Sequence, residues 1–268
     1  MKLYISADIE GTTGIARWDE TENGHSRYPY FAEQMTREVA AAINGALQVS
    51  RDFELLVKDA HDSACNLIPS KLPASENLRI FRGWGSDAMS MMGGLERGYD
   101  GVFFIGYHSG AGMDTNPLAH TMNRQNNSVK INGMIAPELM INSLTAAYLG
   151  VPVKLVTGDK GLCDWMNAIN PNIETVAVSE GRGRGSISLH PDVACQKIQA
   201  AAARAALKSA KDCMFPLPEH FHVEICFKEH SRARNAVTYP GVVQTGTTTI
   251  EYDADDYMDV LNMIDWVL

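Results

Sequence analysis

Leu3-Tyr4-Ile5-Ser6-Ala7-Asp8-Ile9-Glu10-Gly11 opens with an apolar run and closes with two carboxylates two residues apart, ahead of a glycine. Residues 3–7 read as a buried strand. Side chains two apart on a strand project to one face, so Asp8 and Glu10 aim together where the strand stops, and Gly11 turns the chain away. Two such carboxylates repel, and burying them unpaired costs several kcal/mol or keeps one protonated. A cation is the usual remedy, and hard divalent ions and zinc both accept such groups.

Similar runs recur at 53–57, 102–105, 153–157 and 175–178, with helix-like stretches between several of them at 30–49, 138–149 and 192–210. Pro137 and Pro191 stand where a first helical turn favours proline. This alternation predicts an α/β fold, a mostly parallel central sheet flanked by helices. The end of the chain differs. Residues 221–227 alternate in places, 247–252 are β-branched, and 256–267 read as a closing helix. They predict a smaller C-terminal α+β lobe over 216–268, packed on a metal-binding catalytic domain over 1–215 or continuous with it. Residues 181–185, Gly-Arg-Gly-Arg-Gly, read as a flexible loop.

The composition is 45% apolar over 268 residues, ample for a buried core. A net charge of -9 with no basic stripe argues against nucleic acid and anionic membrane as partners. A strand beginning at Lys2 leaves no room for a signal peptide, no apolar run spans a bilayer, and the five cysteines are scattered without a CxxC pair. The expectation is a cytoplasmic protein with reduced thiols.

In open α/β sheets ligands bind beyond the carboxyl ends of the strands. Asp8 and Glu10 follow the first strand, Lys58, Asp59, His61 and Asp62 the second, and Tyr107, His108 and Ser109 the third. His120 lies further on, and Glu138 opens a helix, where the dipole favours a carboxylate. Each residue has an ordinary alternative: a turn or cap for the acid pair, satisfied loop histidines for His61 and His108, a solvated loop residue for His120, a first-turn acid for Glu138. Their joint placement at three strand ends favours zinc, or two zinc ions sharing a carboxylate.

The same residues resemble a known family. Ser6-Ala7-Asp8-Ile9-Glu10-Gly11 is similar to the Ser-x-Asp-x-Glu-Gly signature of the zinc D-aminopeptidases of the dipeptide-transport-operon type. The resemblance continues in Lys58-Asp59-Ala60-His61, Gly106-Tyr107-His108, His120-Thr121-Met122, Ile131-Asn132-Gly133 through Glu138, and Thr245-Gly246-Thr247-Thr248-Thr249. It implies that Asp8, Glu10, His61, His108 and Glu138 bind two zinc ions, with Asp8 as the natural bridge. It also implies that His120 is catalytic, as nucleophile or as general acid/base. It further implies a short peptide substrate with an N-terminal D-residue, and a ring-shaped homodecamer enclosing the active sites. Two departures stand out: Pro137 where glycine is expected, and a different, slightly longer loop at 109–116 that should line the pocket. Asp114 in that loop is a candidate for holding the substrate α-ammonium, beside its ordinary reading as a loop aspartate.

A phosphatase is the main alternative. Asp8-Ile9-Glu10-Gly11-Thr12-Thr13 also resembles the first motif of the haloacid-dehalogenase fold, with Asp8 as nucleophile, and residues 158–164 imitate its magnesium-binding motif. That reading leaves His61, His108 and Glu138 unused and offers no lysine except Lys154, inside a strand-like run. A non-enzymatic metal-binding protein ranks last, because every ligand and His120 are present.

Overall fold

The structure, a computed structural model, describes residues 1–268. In chain order its elements are β1 (Lys2–Ala7), α1 (Tyr28–Val49), β2 (Glu54–Asp59), β3 (Leu78–Phe81), β4 (Gly101–Tyr107), β5 (Asn126–Ile131) and β6 (Met134–Ile135). There follow α2 (Glu138–Tyr148), β7 (Val153–Asp159), α3 (Lys160–Ile169), β8 (Glu174–Arg182), β9 (Gly185–Ser188) and α4 (Pro191–Leu207). The chain ends with β10 (Phe221–Phe227), α5 (His230–Ala236), β11 (Val243–Gln244), β12 (Thr249–Ala254) and α6 (Tyr257–Val267).

Seven strands form one sheet in the order β3-β2-β1-β4-β7-β8-β9, parallel except for the edge strand β9. The strand period of two splits its side chains between two cores. Leu3, Ile5 and Ala7 join Phe103 and Ile105 under α1 and α4, while Tyr4 joins Val102 and Phe104 beneath α2. β4 and β7 are buried along their whole length, which suits central strands covered on both faces. The crossing of α1 and α4 needs Gly45, where a Cβ would lie 2.2 Å from the Gln199 carbonyl oxygen.

The second, smaller sheet is antiparallel, in the order β11-β12-β10-β5-β6. β10 alternates buried and half-buried residues, and Phe221, Val223, Ile225 and Phe227 enter the core that α2 and α6 share. This lobe takes β5 and β6 from residues 126–135 as well as the expected C-terminal strands.

The fold class and every expected strand and helix are present, with ends shifted by a few residues. Residues 181–185 are not a loop. They belong to the β8–β9 hairpin, in which Arg182 pairs with Gly185 across a turn that holds Gly183 at φ +58°. Alternate glycines masked a hairpin whose pairing is carried by backbone.

Candidate metal centre

The carboxyl edge of the parallel sheet carries the predicted constellation. Beyond β1, Asp8 N–H donates to the Ile105 carbonyl (2.9 Å) and Gly11 N–H to that of Gly106 (2.9 Å), so the chain stays pressed against β4. A Cβ at Gly11 would sit 1.8 Å from the Tyr107 carbonyl oxygen, which no side chain allows. Beyond β2, Ala60 N–H donates to Ala7 and places His61 beside Asp8. Asp59 secures the loop that follows by accepting from Asn66 N–H (2.5 Å) and Leu67 N–H (2.7 Å). Beyond β4 comes His108, and Glu138 opens α2 with Pro137 at its N-cap. The unexpected Pro137 packs against Gly110, where a Cβ would lie 2.6 Å from the proline Cα.

All six predicted residues converge. His61 Nδ1 lies 3.3 Å from Asp8 Oδ1 and 3.1 Å from Glu10 Oε2. His108 Nε2 lies 3.4 Å from Asp8 Oδ2 and 3.4 Å from Glu138 Oε2. Asp8 thus turns one oxygen to each histidine. His120 Nε2 is 3.7 Å from Glu138 Oε1, and its ring stacks on His108 with centroids 4.4 Å apart.

The other nitrogen of each ring faces a backbone carbonyl: His61 Nε2 faces Thr21 (2.9 Å), His108 Nδ1 faces Ser109 (2.9 Å) and His120 Nδ1 faces Leu118 (2.9 Å). A carbonyl only accepts, so each imidazole donates there and turns its second nitrogen, lone pair outward, toward carboxylate oxygens. Asp8 Oδ2, Glu10 Oε2 and His108 Nε2 are buried without a hydrogen-bond partner. Lone pairs facing lone pairs at this depth are the arrangement a metal cation satisfies. The sets Asp8–Glu10–His108 and His108–His120–Glu138 each bring their donor atoms within 4.8 Å of one another. Backbone strain accompanies them, with φ +42° at Asp62 and +62° at Met122, whose N–H donates to Glu138 Oε1 (2.7 Å).

The electrostatics agree. Burial and the adjacent Glu10 push the Asp8 carboxyl up to about 7. Burial opposes ionisation of Glu10 and Glu138, but His61 and His108 outweigh it and hold both below the usual carboxylate range. Burial likewise pulls His61 and His108 down, and the carboxylates beside them win and lift both well above the ordinary value. His120 is depressed by burial and by His108. The site's field demands positive charge on the His61 and His108 nitrogens, and a metal supplies the same charge.

The surrounding cleft of about 380 Å³ is also lined by Trp18, Glu22, Asp62, Trp84, Met122 and Arg124. The sequence analysis named only Asp62 and, within the His120-Thr121-Met122 motif, Met122 among these, because the rest follow no strand or helix period that would mark them. Asp114 is exposed and does not line the cleft; of the outer acids there Glu22 is paired with Arg124, which leaves Asp62 to face a substrate amine. Residues 245–249 form the β11–β12 turn, where Thr245 N–H donates to Thr249 (3.1 Å), away from the cleft.

The phosphatase alternative does not hold. Asp8 is buried among two imidazoles and two acids, a donor set that the phosphatase reading leaves unused. Asp159 is occupied in capping α3 through Leu162 N–H (2.9 Å) and in holding Ser109. The Lys154 side chain packs on Gly101, at the opposite end of β4.

Comparison with known proteins agrees with the geometry. The D-aminopeptidase (peptidase M55) family model matches residues 1–266. A D-aminopeptidase of Bacillus subtilis (strain 168) is 30% identical over 262 residues, covering 97% of this chain and 93% of that one. The solved zinc-dependent D-aminopeptidase DppA from Bacillus subtilis, described as a self-compartmentalizing protease, superposes with a TM-score of 0.90 at 29% identity, covering 100% of this chain and 96% of that one. No helix here is long and apolar enough to cross a membrane. With its strand-end donors in place and the match running from end to end, this chain belongs to the D-aminopeptidase family.

Proposed function

We propose that this chain is a zinc aminopeptidase that hydrolyses short peptides or amides, preferentially those with an N-terminal D-residue. The observation that carries the reading is the set of imidazoles tied to backbone carbonyls by one nitrogen and turned toward buried carboxylates by the other. Asp8, Glu10 and His61 would hold one zinc ion, and Asp8, His108 and Glu138 a second. Zinc there would supply Lewis-acid polarisation of the scissile carbonyl and a water acidic enough to ionise near neutral pH.

The chain's own groups do the rest. His120 is held neutral by burial and by His108, so its Nε2 keeps a free lone pair for a proton and gives that proton up again easily. Its Nδ1–H stays on Leu118, which keeps Nε2 aimed at the cleft side of Glu138. From there His120 takes the proton released in attack and delivers it to the leaving amine, in preference to acting as a nucleophile. Glu138 Oε1, 3.7 Å away, attracts His120 once Nε2 carries the proton, while its other oxygen faces His108. The D preference and a homo-oligomer, a ring-shaped decamer enclosing the clefts, are supported by the self-compartmentalizing relative and by the motif resemblance. A cytoplasmic location fits the free cysteines.

The test is turnover of D-alanyl and L-alanyl p-nitroanilides beside p-nitrophenyl phosphate, with zinc-loaded, chelated and magnesium-loaded protein. Zinc-dependent amide cleavage favouring the D-substrate is expected, falling about 10²- to 10⁴-fold in His120→Ala with zinc content retained. Magnesium-dependent phosphate release without amide cleavage would overturn the reading.

A further inference from the structure

The outer half of the cleft carries a device that the metal donors do not use. Arg124 is the one lysine or arginine lining the cleft. Its guanidinium lies over the Trp18 ring, with Cζ 4.3 Å from the ring centroid. Its Nη1 donates to Glu22 Oε1 at 2.8 Å, while Nε and Nη2 make no hydrogen bond. A guanidinium has five N–H donors in a fixed fork, so most of this one is open.

The fork is also held in place. Lys228 Nζ donates to the Arg124 carbonyl (2.8 Å), and Asn123 just before it donates through its side chain to the Leu268 carbonyl (2.5 Å). Trp18 sets its edge against the His120 ring, centroids 5.1 Å apart at 75°. These two contacts put the guanidinium within about 10 Å of the His120 ring. That is the reach of one or two residues beyond a scissile bond, at roughly 3.3–3.6 Å each, with a hydrogen bond at either end.

We propose that Arg124 is a specificity-determining residue that binds the free C-terminal carboxylate of the substrate. The proposal rests on the aminopeptidase reading above. A planar fork facing a carboxylate is the strong, bidentate form of this recognition. Every short peptide presents such a group at this reach, whatever its side chains; an acidic side chain next to the scissile bond is the other source of the same chemistry. Glu22 competes for the fork, and the exposed Arg124–Glu22 pair is the weak kind that a substrate displaces.

The experiment compares kcat and KM on D-alanyl-D-alanine, its C-terminal amide, and D-alanyl-D-glutamate blocked as the α-amide, using zinc-loaded wild type, Arg124→Gln, Arg124→Lys and Glu22→Gln. Wild type is expected to favour the free dipeptide over its amide about tenfold or more in kcat/KM. Arg124→Gln is expected to raise KM for the free dipeptide about tenfold with kcat held within about twofold, and to affect the amide at least about fivefold less. Arg124→Lys should restore part of the loss, and Glu22→Gln should lower KM for the free dipeptide. A purely structural clamp predicts that Glu22→Gln and Arg124→Gln act in the same direction on all three substrates, and that result would overturn the proposal. A preference confined to the side-chain carboxylate would overturn the C-terminal assignment. If wild type cleaves none of the three, the aminopeptidase reading falls first and takes the proposal with it.

Discussion

Asp8→Asn is expected to make the metal-free protein more stable than wild type and the zinc-supplemented protein less stable. Asp8 is 2% exposed, and burial with Glu10 beside it pushes its carboxyl from 3.8 up to about 7. An acid raised in this way holds its proton more tightly in the fold than in the unfolded chain. The stability it lends is complete below the unfolded value and is lost as the pH climbs through about 7. At about 1.4 kcal/mol per tenfold difference in proton affinity, ionised Asp8 costs the metal-free fold about 4 kcal/mol above that pH. Asparagine removes that cost, in which the attraction of His61 at 3.3 Å is already included, but it exchanges an acceptor oxygen for an N–H donor in a packed site, at about 1–3 kcal/mol. A net gain of about 2 kcal/mol remains, or about 4–8 °C in Tm for a chain of this size. Zinc reverses the order. Wild type gains about 4 kcal/mol when zinc exceeds its Kd a thousandfold, whereas the variant lacks the side chain that turns an oxygen to both His61 and His108. The assay is thermal unfolding at pH 8 and one protein concentration, after chelation and after zinc addition, with zinc per chain counted by atomic emission. A lower Tm for the chelated variant, or a zinc shift equal to that of wild type, would refute the reasoning.

Three further outcomes follow from the same site. The zinc-induced rise in Tm should grow from pH 6 to pH 8: His61, His108 and Asp8 all have raised values, so the stability their protons lend the metal-free fold is present in acid and lost as the pH rises, while Glu10 and Glu138, both lowered, lose theirs only in stronger acid. A shift independent of pH across that interval would count against the protonation pattern. Asp159→Asn should weaken zinc binding about ten- to hundredfold in calorimetric titration with helix content retained, because Asp159 holds Ser109 N–H and Oγ (both 2.6 Å) and the Ser109 carbonyl orients His108; unchanged affinity would sever that link. Gly11→Ala should cost at least about 3 kcal/mol or yield insoluble protein, since its Cβ would meet the Tyr107 carbonyl oxygen at 1.8 Å; a wild-type Tm would show that the edge of the sheet yields freely.

The sequence was most legible where burial and period coincide. β1, β4 and β7 are largely apolar and buried because both faces of the sheet are covered, and their ends mark where Asp8, His108 and Asp159 lie. Glu138 was legible through Pro137 and the helix it opens. β5 escaped notice because Asn126-Asn127-Ser128-Val129-Lys130-Ile131 is mostly polar, and only Val129 and Ile131 show its buried apolar face. α3 escaped because its cap, Asp159, lies directly at the end of β7 and looked like part of a phosphatase motif. Glu22, Trp84 and Arg124 line the cleft from irregular chain and Trp18 from a single 3-10 turn, where no period marks a side chain's direction, so they needed the folded structure. Asp114 misled for the converse reason: a loop between two histidines is near the site in sequence without facing it.

Tyr107 explains how donors from separate segments arrive in register. Its carbonyl is gripped between Gly11 and Gly158, each so close that a Cβ would fall within 2 Å of it, at 1.8 Å and 1.9 Å. Its hydroxyl pairs with Ser6 Oγ at 2.6 Å and accepts from Asn142 Nδ2 at 3.0 Å. Ser6 precedes Asp8 by two residues and shares its strand face, and Asn142 follows Glu138 by four and shares its helix face. One residue, adjacent to His108, therefore sets the position of β1, β7 and α2 against β4. Burial, reinforced by Asp8, keeps its phenol far above the ordinary range, so it stays neutral and can both donate and accept. Binding geometry at a metal centre tolerates errors of only about 0.5 Å. A single buried hydroxyl shared by a strand and a helix meets that demand without adding another charge to a site already crowded with carboxylates.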